Sequence, residues 1–252
     1  MTTRISLFLS AVVLTLAGWP AASVAEPADA RHTNVVRIQL VPEREASLSS
    51  GAEGLISDIA VKEGQAFKRG DVLFRQDCRL EAAQKRRVLA ELGIAEQKLD
   101  VMTRLDSLNS VSQLDKAIAS GEQEKWRAEA DIIEAKLELC VVRAPFDGKV
   151  VELHMSEHEW ARPGDVVIDI VSSRPPLVEM IVPSHALSTL SKGDEFALFV
   201  DELSASFDAR IMSVGARIDP VSQSVEVSAR ILEPTNKLIP GMTGEARFDL
   251  AR

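Results

Sequence analysis

The chain carries a short β-type motif in two widely separated pieces, and that division constrains its fold more than any other feature. The first piece reads Gly54-Leu-Ile-Ser-Asp-Ile-Ala-Val-Lys-Glu-Gly64-Gln-Ala-Phe-Lys-Arg-Gly70-Asp-Val-Leu. The second reads Ala144-Pro-Phe-Asp-Gly148-Lys-Val-Val, followed by Ala161-Arg-Pro-Gly164-Asp-Val-Val. Short apolar runs punctuated by glycine are strands joined by tight turns, and Lys62-Glu63-Gly64 and Lys68-Arg69-Gly70 read as hairpin turns. Between the pieces lie residues 79–139, charged, alanine-rich and without a proline. A small β-domain interrupted by a long helical excursion predicts a device that reaches for a partner rather than a catalyst.

The excursion has helical periodicity. Val88, Leu92, Ala95, Leu99 and Met102 recur at alternating spacings of four and three, which is a heptad seam. After a break at Asn109-Ser110 the reading resumes through Leu114, Ile118, Gly121, Lys125, Ala128, Ile132, Ala135 and Leu139. Two arms of about 28 residues would each be about 42 Å long at 1.5 Å per residue. So short a break demands antiparallel neighbours, hence a helical hairpin, with Ser112 as the N-cap of the returning arm.

Elsewhere the pattern is β. Val35 to Val41 reads as one strand ended by Pro42, within an N-terminal segment 26–46. The β-pattern returns at Cys140, and Ser172-Ser173-Arg174-Pro175-Pro176 marks a boundary near residue 174. Beyond it, alternation at Val178/Met180/Val182, Phe196/Leu198/Val200, Ile211 to Val214, Val225/Val227/Ala229/Ile231 and Ala246/Phe248/Leu250 predicts a small barrel over 175–252. Ser184 to Leu190 reads as a short helix capped by Ser184 and closed by Gly193.

Residues 1–25 read as a secretory signal peptide: Arg4 in a charged n-region, an apolar run from Ile5 to Leu16, and a small-residue site at Ser23-Val24-Ala25. An uncleaved anchor is the alternative, against which the run is shorter than the roughly 20 residues that span a bilayer. No cysteine near the cleavage site offers a lipid anchor. The formal charge of the whole chain is −9, and removing Arg4 with the signal takes it to −10. An acidic chain without a basic block, with no tyrosine and only eight phenylalanines and three tryptophans, makes a poor nucleic-acid binder. Cys78 and Cys140 bracket the excursion, and in an oxidising compartment such a pair is a disulfide candidate. A bond there would close a loop of about 60 residues, worth ~4 kcal/mol in the loop-entropy account. Two separate thiols are the alternative, because spacing alone does not bring Cα atoms within reach of each other.

No catalytic constellation emerges: there is no nucleophile–base pair, no Gly-x-Ser-x-Gly and no phosphate loop, so an enzyme is not expected. Nor is a cofactor. Lys116 in Leu114-Asp115-Lys116-Ala117 looks like a lipoylation string but falls in a helix. His154 and His158, with Glu152, Glu157 and Glu159 nearby, raise a metal-binding alternative, since imidazole and carboxylate suit zinc or copper. On a strand the two histidines would lie ~13 Å apart, so a solvated hairpin is the preferred reading and no metal ligand is assigned.

In this order, the motifs resemble the periplasmic adaptor subunits, or membrane fusion proteins, of bacterial tripartite efflux and secretion systems. The resemblance covers about residues 34–250 and also includes Ile218-Asp219-Pro220-Val221-Ser222-Gln223-Ser224-Val225 and Leu238-Ile-Pro240-Gly241-Met242. It implies an elongated, modular α+β fold: an α-helical coiled-coil hairpin (79–139) inserted in a lipoyl-like β-sandwich (47–78 and 140–174), then the barrel. It further implies a periplasmic, non-enzymatic adaptor in a homo-oligomeric ring, linking an inner-membrane transporter to an outer-membrane channel. Arg104, Leu108 and Ser112 stand nearest the family's channel-contacting tip residues, and the spacing of four puts Arg104 and Leu108 on one helix face. Alternatively, Leu108 belongs to the seam, Arg104 is solvated and Ser112 is only a cap. A further membrane-proximal domain, common in the family, is expected to be absent or rudimentary.

Overall fold

The computed structural model describes residues 33–249, so the expected signal peptide lies outside the described residues. In chain order the strands are β1 (Thr33–Val41), β2 (Glu45–Ser49), β3 (Gly54–Ile59), β4 (Ala66–Phe67) and β5 (Val72–Gln76). The helices α1 (Arg79–Ser107) and α2 (Gln113–Glu138) follow. Then come β6 (Val141–Arg143), β7 (Gly148–Leu153), β8 (Trp160–Ala161) and β9 (Val166–Ser172). The last strands are β10 (Leu177–Pro183), β11 (Glu195–Val200), β12 (Ala205–Val214), β13 (Ser224–Ile231) and β14 (Thr243–Asp249). The chain is therefore α+β, with two long helices and a closed β-barrel.

The barrel runs β1-β10-β13-β12-β11-β14. The alternating residues read from the sequence are its interior: Val178, Met180, Val182, Leu198, Val200, Val225, Val227, Ala229, Ile231 and Ala246 are all buried. Alternation works here because successive strand residues point to opposite faces. The strand of the N-terminal segment, set apart in sequence, closes the cylinder between β10 and β14. The turn at Gly241 adds two more bonds to it, Gly241 N to Leu40 O and Leu40 N to Met242 O. The expected helix after Ser184 is a short 3-10 turn, Ser184–Ser188, with no side-chain cap.

Two four-stranded sheets, β2-β9-β7-β4 and β6-β5-β3-β8, share a core of Ile56, Phe67, Leu73, Phe74, Ala161, Val167, Ile168 and Ile170. The two pieces of the split motif are copies of one unit. Gly54 corresponds to Gly148, and Gly70 to Gly164, an offset of 94 residues in both cases. At that offset β3 and β7 share one burial pattern, and β4 and β8 another. The first sheet's order maps strand for strand onto the second's, and each sheet contains one two-residue strand lent by the other copy.

Candidate functional site

Between β5 and β6 the two helices form an arm, and they pack against each other. Ion pairs across the arm fix the helices as antiparallel: Lys85–Glu134 nearest the base, then Glu96–Arg127 and Lys98–Glu122, then Asp106–Lys116 at the tip. The base is closed by a disulfide between Cys78 and Cys140, whose Cα atoms are 6.3 Å apart. Of the two readings left open by sequence, the bonded pair is the one present.

The seam of α1 lies where periodicity put it, with Val88 and Ala95 buried and Leu92, Leu99 and Met102 half-buried. That of α2 does not. Its buried residues are Ala119, Ala130 and Ile133, with Trp126 and Leu137 packed beside them. Leu114, Ile118, Ile132 and Leu139, assigned to the seam in sequence, are 68%, 54%, 52% and 50% exposed. The helix carries two apolar series a residue or two out of phase, and hydropathy alone favours the wrong one. The bulky Trp126 and the ion pairs Lys98–Glu122 and Glu96–Arg127, one on each flank, set the inward face instead.

The tip is built from standard helix ends. Asn109 takes φ +54°, and Ser110 N donates to Leu105 O across it, satisfying a terminal carbonyl of α1. Ser112 caps α2, its hydroxyl accepting from Leu114 N at 3.1 Å. Leu108 is 69% exposed and so belongs to no seam. Arg104 is tied to Asp100 one turn earlier at 2.7 Å, with its side chain largely in solvent. Sequence reasoning missed Asp106, which accepts from Gln113 Nε2 at 2.9 Å and pairs with Lys116 Nζ at 2.7 Å, tying the two helices at their ends. Lys116 is thus an ion-pair partner at the tip.

The histidine pair is separated by role. His158 has φ +67° and occupies the turn position that Gly64, φ +75°, fills in the other copy. His154 meets Asp169 instead, Nε2 to Oδ2 at 2.7 Å, with its Nδ1 3.9 Å from Glu152 Oε1. The hydrogen bond to Asp169 raises the His154 pKa above its ordinary value. Ser47, paired in register with Asp169, and then His154 hold the Asp169 carboxyl low. Glu157 serves the fold, accepting from Ile59 N.

No protein-family profile matches the chain. A Haemophilus influenzae protein of uncharacterised function is 26% identical over 211 residues, covering 83% of this chain and 55% of that protein. The cobalt-zinc-cadmium resistance protein CzcB of Cupriavidus metallidurans is 23% identical over 204 residues, covering 75% of this chain and 39% of its own. The chain thus spans about half the length, or less, of these relatives. Among solved structures, a MacA–MexA chimera containing the Pseudomonas aeruginosa MexA α-hairpin domain superposes with a TM-score of 0.78 at 19% identity, covering 87% of this chain and 79% of its own. The membrane fusion protein Spr0693 of Streptococcus pneumoniae R6 gives 0.71 at 15%, covering 85% and 97%. Barrel, paired sheets and helical arm together are the fold of the membrane fusion proteins, the family that the sequence resembles.

Proposed function

We propose that the chain is a periplasmic adaptor that links an inner-membrane transporter to an outer-membrane channel. The observation that carries this reading is the arm. It is a two-helix projection of about 40 Å, clamped at its base by Cys78–Cys140 and exposing apolar side chains that nothing among the described residues covers. An uncovered apolar stripe on a helix is a docking surface for another helix. In this reading residues 47–78 and 140–174 are a lipoyl-like sandwich, 79–139 a coiled-coil hairpin, and the barrel spans 175–252 together with the strand at 33–41. Arg104, Leu108 and Ser112 present the tip to the channel, and copies assemble in a ring in which weak contacts add through multivalency. The adaptor performs no catalysis.

The test is site-specific photo-cross-linking at Leu108 in cells. Capture of an outer-membrane channel protein is expected, and capture lost in Leu108→Glu with export intact strengthens the assignment. Consistent failure to capture any outer-membrane protein from Leu108 or Arg104 removes it.

A second reading draws on Glu152, His154 and Asp169, whose ligand atoms lie within 4.8 Å of one another. These are the residue types that hold zinc or copper, and the CzcB relative is named for metal resistance. Calorimetric titration with zinc and copper decides it, with no heat of binding ending this reading.

A further inference from the structure

We infer that the joint between the paired sheets and the barrel holds a binding site for a phosphate group. Two connectors make this joint, residues 42–44 between β1 and β2 and residues 173–176 between β9 and β10. Beside them lies a cavity of about 310 Å³ that both connectors line. Arg44 comes from the first connector and Arg174 from the second, with Ser172 at the end of β9. Arg69 comes from the turn before β5, and Phe146 and Asp147 from the turn before β7. Small ligands bind preferentially in such clefts between packed units.

The charge of this cavity runs against that of the chain, which is −9 overall. Glu43 is one carboxylate between two guanidiniums, 2.8 Å from Arg174 Nη1 and 4.0 Å from Arg230 Nη2. Arg44 and Arg69 are exposed, and neither guanidinium makes an ion pair or hydrogen bond among the described residues. The Asp147 carboxylate is turned to the backbone, accepting from Arg69 N at 2.7 Å. Among the residues that line the cavity or pair with those that do, four arginines therefore stand against two carboxylates. Neutral donors add to them. Ser172 is only 7% exposed, and its hydroxyl accepts from Arg174 N at 3.1 Å, while its own hydrogen has no acceptor among the described residues. A buried polar group is rarely left so. The Phe146 and Asp147 amides also meet no acceptor among the described residues.

The other copy of the duplicated motif shows that the turns close without these residues. At the offset of 94 residues, Pro163 stands for Arg69, Glu138 for Arg44 and Ala52 for Phe146. There the Leu139 side chain lies against Gly51 and fills the space. The donors at the joint come from four separate segments and include guanidiniums, a hydroxyl and amides. A tetrahedral oxyanion presents oxygens in every direction and can meet them together, whereas a planar carboxylate matches a single guanidinium fork. Inorganic phosphate and the phosphate of a lipid headgroup share this chemistry. An anion held here touches both connectors and two turns of the sheets, so its binding ties the barrel to the sheets.

The test is calorimetric titration of the purified protein with sodium phosphate at constant ionic strength, with vesicles of phosphatidic acid or of phosphatidylcholine as further arms. Saturable binding of inorganic phosphate with a Kd of about 1 mM or tighter is expected. Binding to phosphatidic acid vesicles, with none of free phosphate or phosphatidylcholine, assigns the group to a lipid headgroup. On binding, hydrogen exchange should slow at residues 42–45, 144–148 and 172–175. Arg44→Gln with Arg69→Gln should weaken binding about tenfold or more. Arg86→Gln with Arg87→Gln removes the same charge from the arm and should leave binding unchanged. All four side chains are exposed, so both variants keep the fold, which circular dichroism checks. No saturable binding to phosphate or to phosphatidic acid, an equal loss in the arm variant, or slowed exchange confined to other residues overturns the site.

Discussion

The two copies of the sandwich motif have one backbone and different obligations. In each, a carboxylate accepts from the strand-end amide of the other copy: Glu63 from Leu153 N at 3.1 Å and Glu157 from Ile59 N at 3.0 Å. In each, an aspartate closes a turn, Asp71 accepting from Lys68 N and Asp165 from Arg162 N, both at 2.8 Å. The first copy then passes through Cys78 into the arm, whereas the second passes into the barrel. Repetition therefore builds a platform in which most contacts are made twice, and the parts that occur once are the parts that reach outward. A rigid base made this way holds a slender arm whose own seam fully buries few large side chains, Val88 and Ile133 among them.

Unequal demands on equivalent glycines should give the largest effect. A Cβ on Gly148 would run into the Val171 carbonyl and come within 2.8 Å of Phe67 Cζ, while on Gly54 it would meet only the Asp77 carbonyl at 3.1 Å. Backbone cannot yield as a side-chain end does. Gly148→Ala should cost about 3 kcal/mol and Gly54→Ala about 1 kcal/mol, the usual range for overpacking. Denaturation of the two variants in urea measures the difference, and equal losses would mean that the copies tolerate bulk alike.

The left-handed turn position is the reverse case. His158 sits where its counterpart is glycine, so His158→Gly should stabilise by about 0.5 kcal/mol as the strain of a side chain at positive φ is relieved. Gly64→Ala should destabilise by about 1 kcal/mol. Melting temperatures of the pair move in opposite directions if the backbone is as alike as it looks. The shared carboxylates make a symmetry test of similar size. Glu63→Ala and Glu157→Ala should each lose about 1 kcal/mol, the net worth of one such bond. A marked inequality would show that one copy bears more of the load.

Much of this was legible in the sequence, for reasons that differ between regions. Barrel strands announce themselves because one face is buried and alternation is strict, as at Val225, Val227, Ala229 and Ile231. The seam of α1 was legible for the same reason. That of α2 was not, because a helix with two apolar faces offers two heptads, and only its partners decide which turns inward. The repeat also escaped notice. Gly, Glu, Gly, Asp and Val recur at 54, 63, 70, 71 and 72 and again 94 residues later, but the arm lies between them and the core positions differ. At the tip, Arg104, Leu108 and Ser112 came from the family resemblance, with a spacing of four only putting Arg104 and Leu108 on one helix face, while Asp106 carried no signal, since an acid in a charged helix is ordinarily only solvated.

Charge supplies the smallest and most local difference between the copies. The first holds Arg75 at 3.8 Å from Asp58, a guanidinium beside a carboxylate. The equivalent positions in the second are Asp169 and Glu152, with His154 between them in place of Ala60. Here the cation titrates. The hydrogen bond to Asp169 raises the His154 pKa above 6.5, so its stabilising contribution is complete below that value and is lost as pH rises through the folded pKa. In Asp169→Asn the partner charge is gone, and an imidazole titration followed by NMR should move its midpoint back toward 6.5. The stability gap between wild type and Asp169→Asn should be wider at about pH 5.5 than at about pH 8.5. In the first copy, Asp58→Asn should show no such narrowing over this interval, because no imidazole stands in its pair. An unchanged midpoint in Asp169→Asn would mean that the short His154–Asp169 contact is not what distinguishes the second copy.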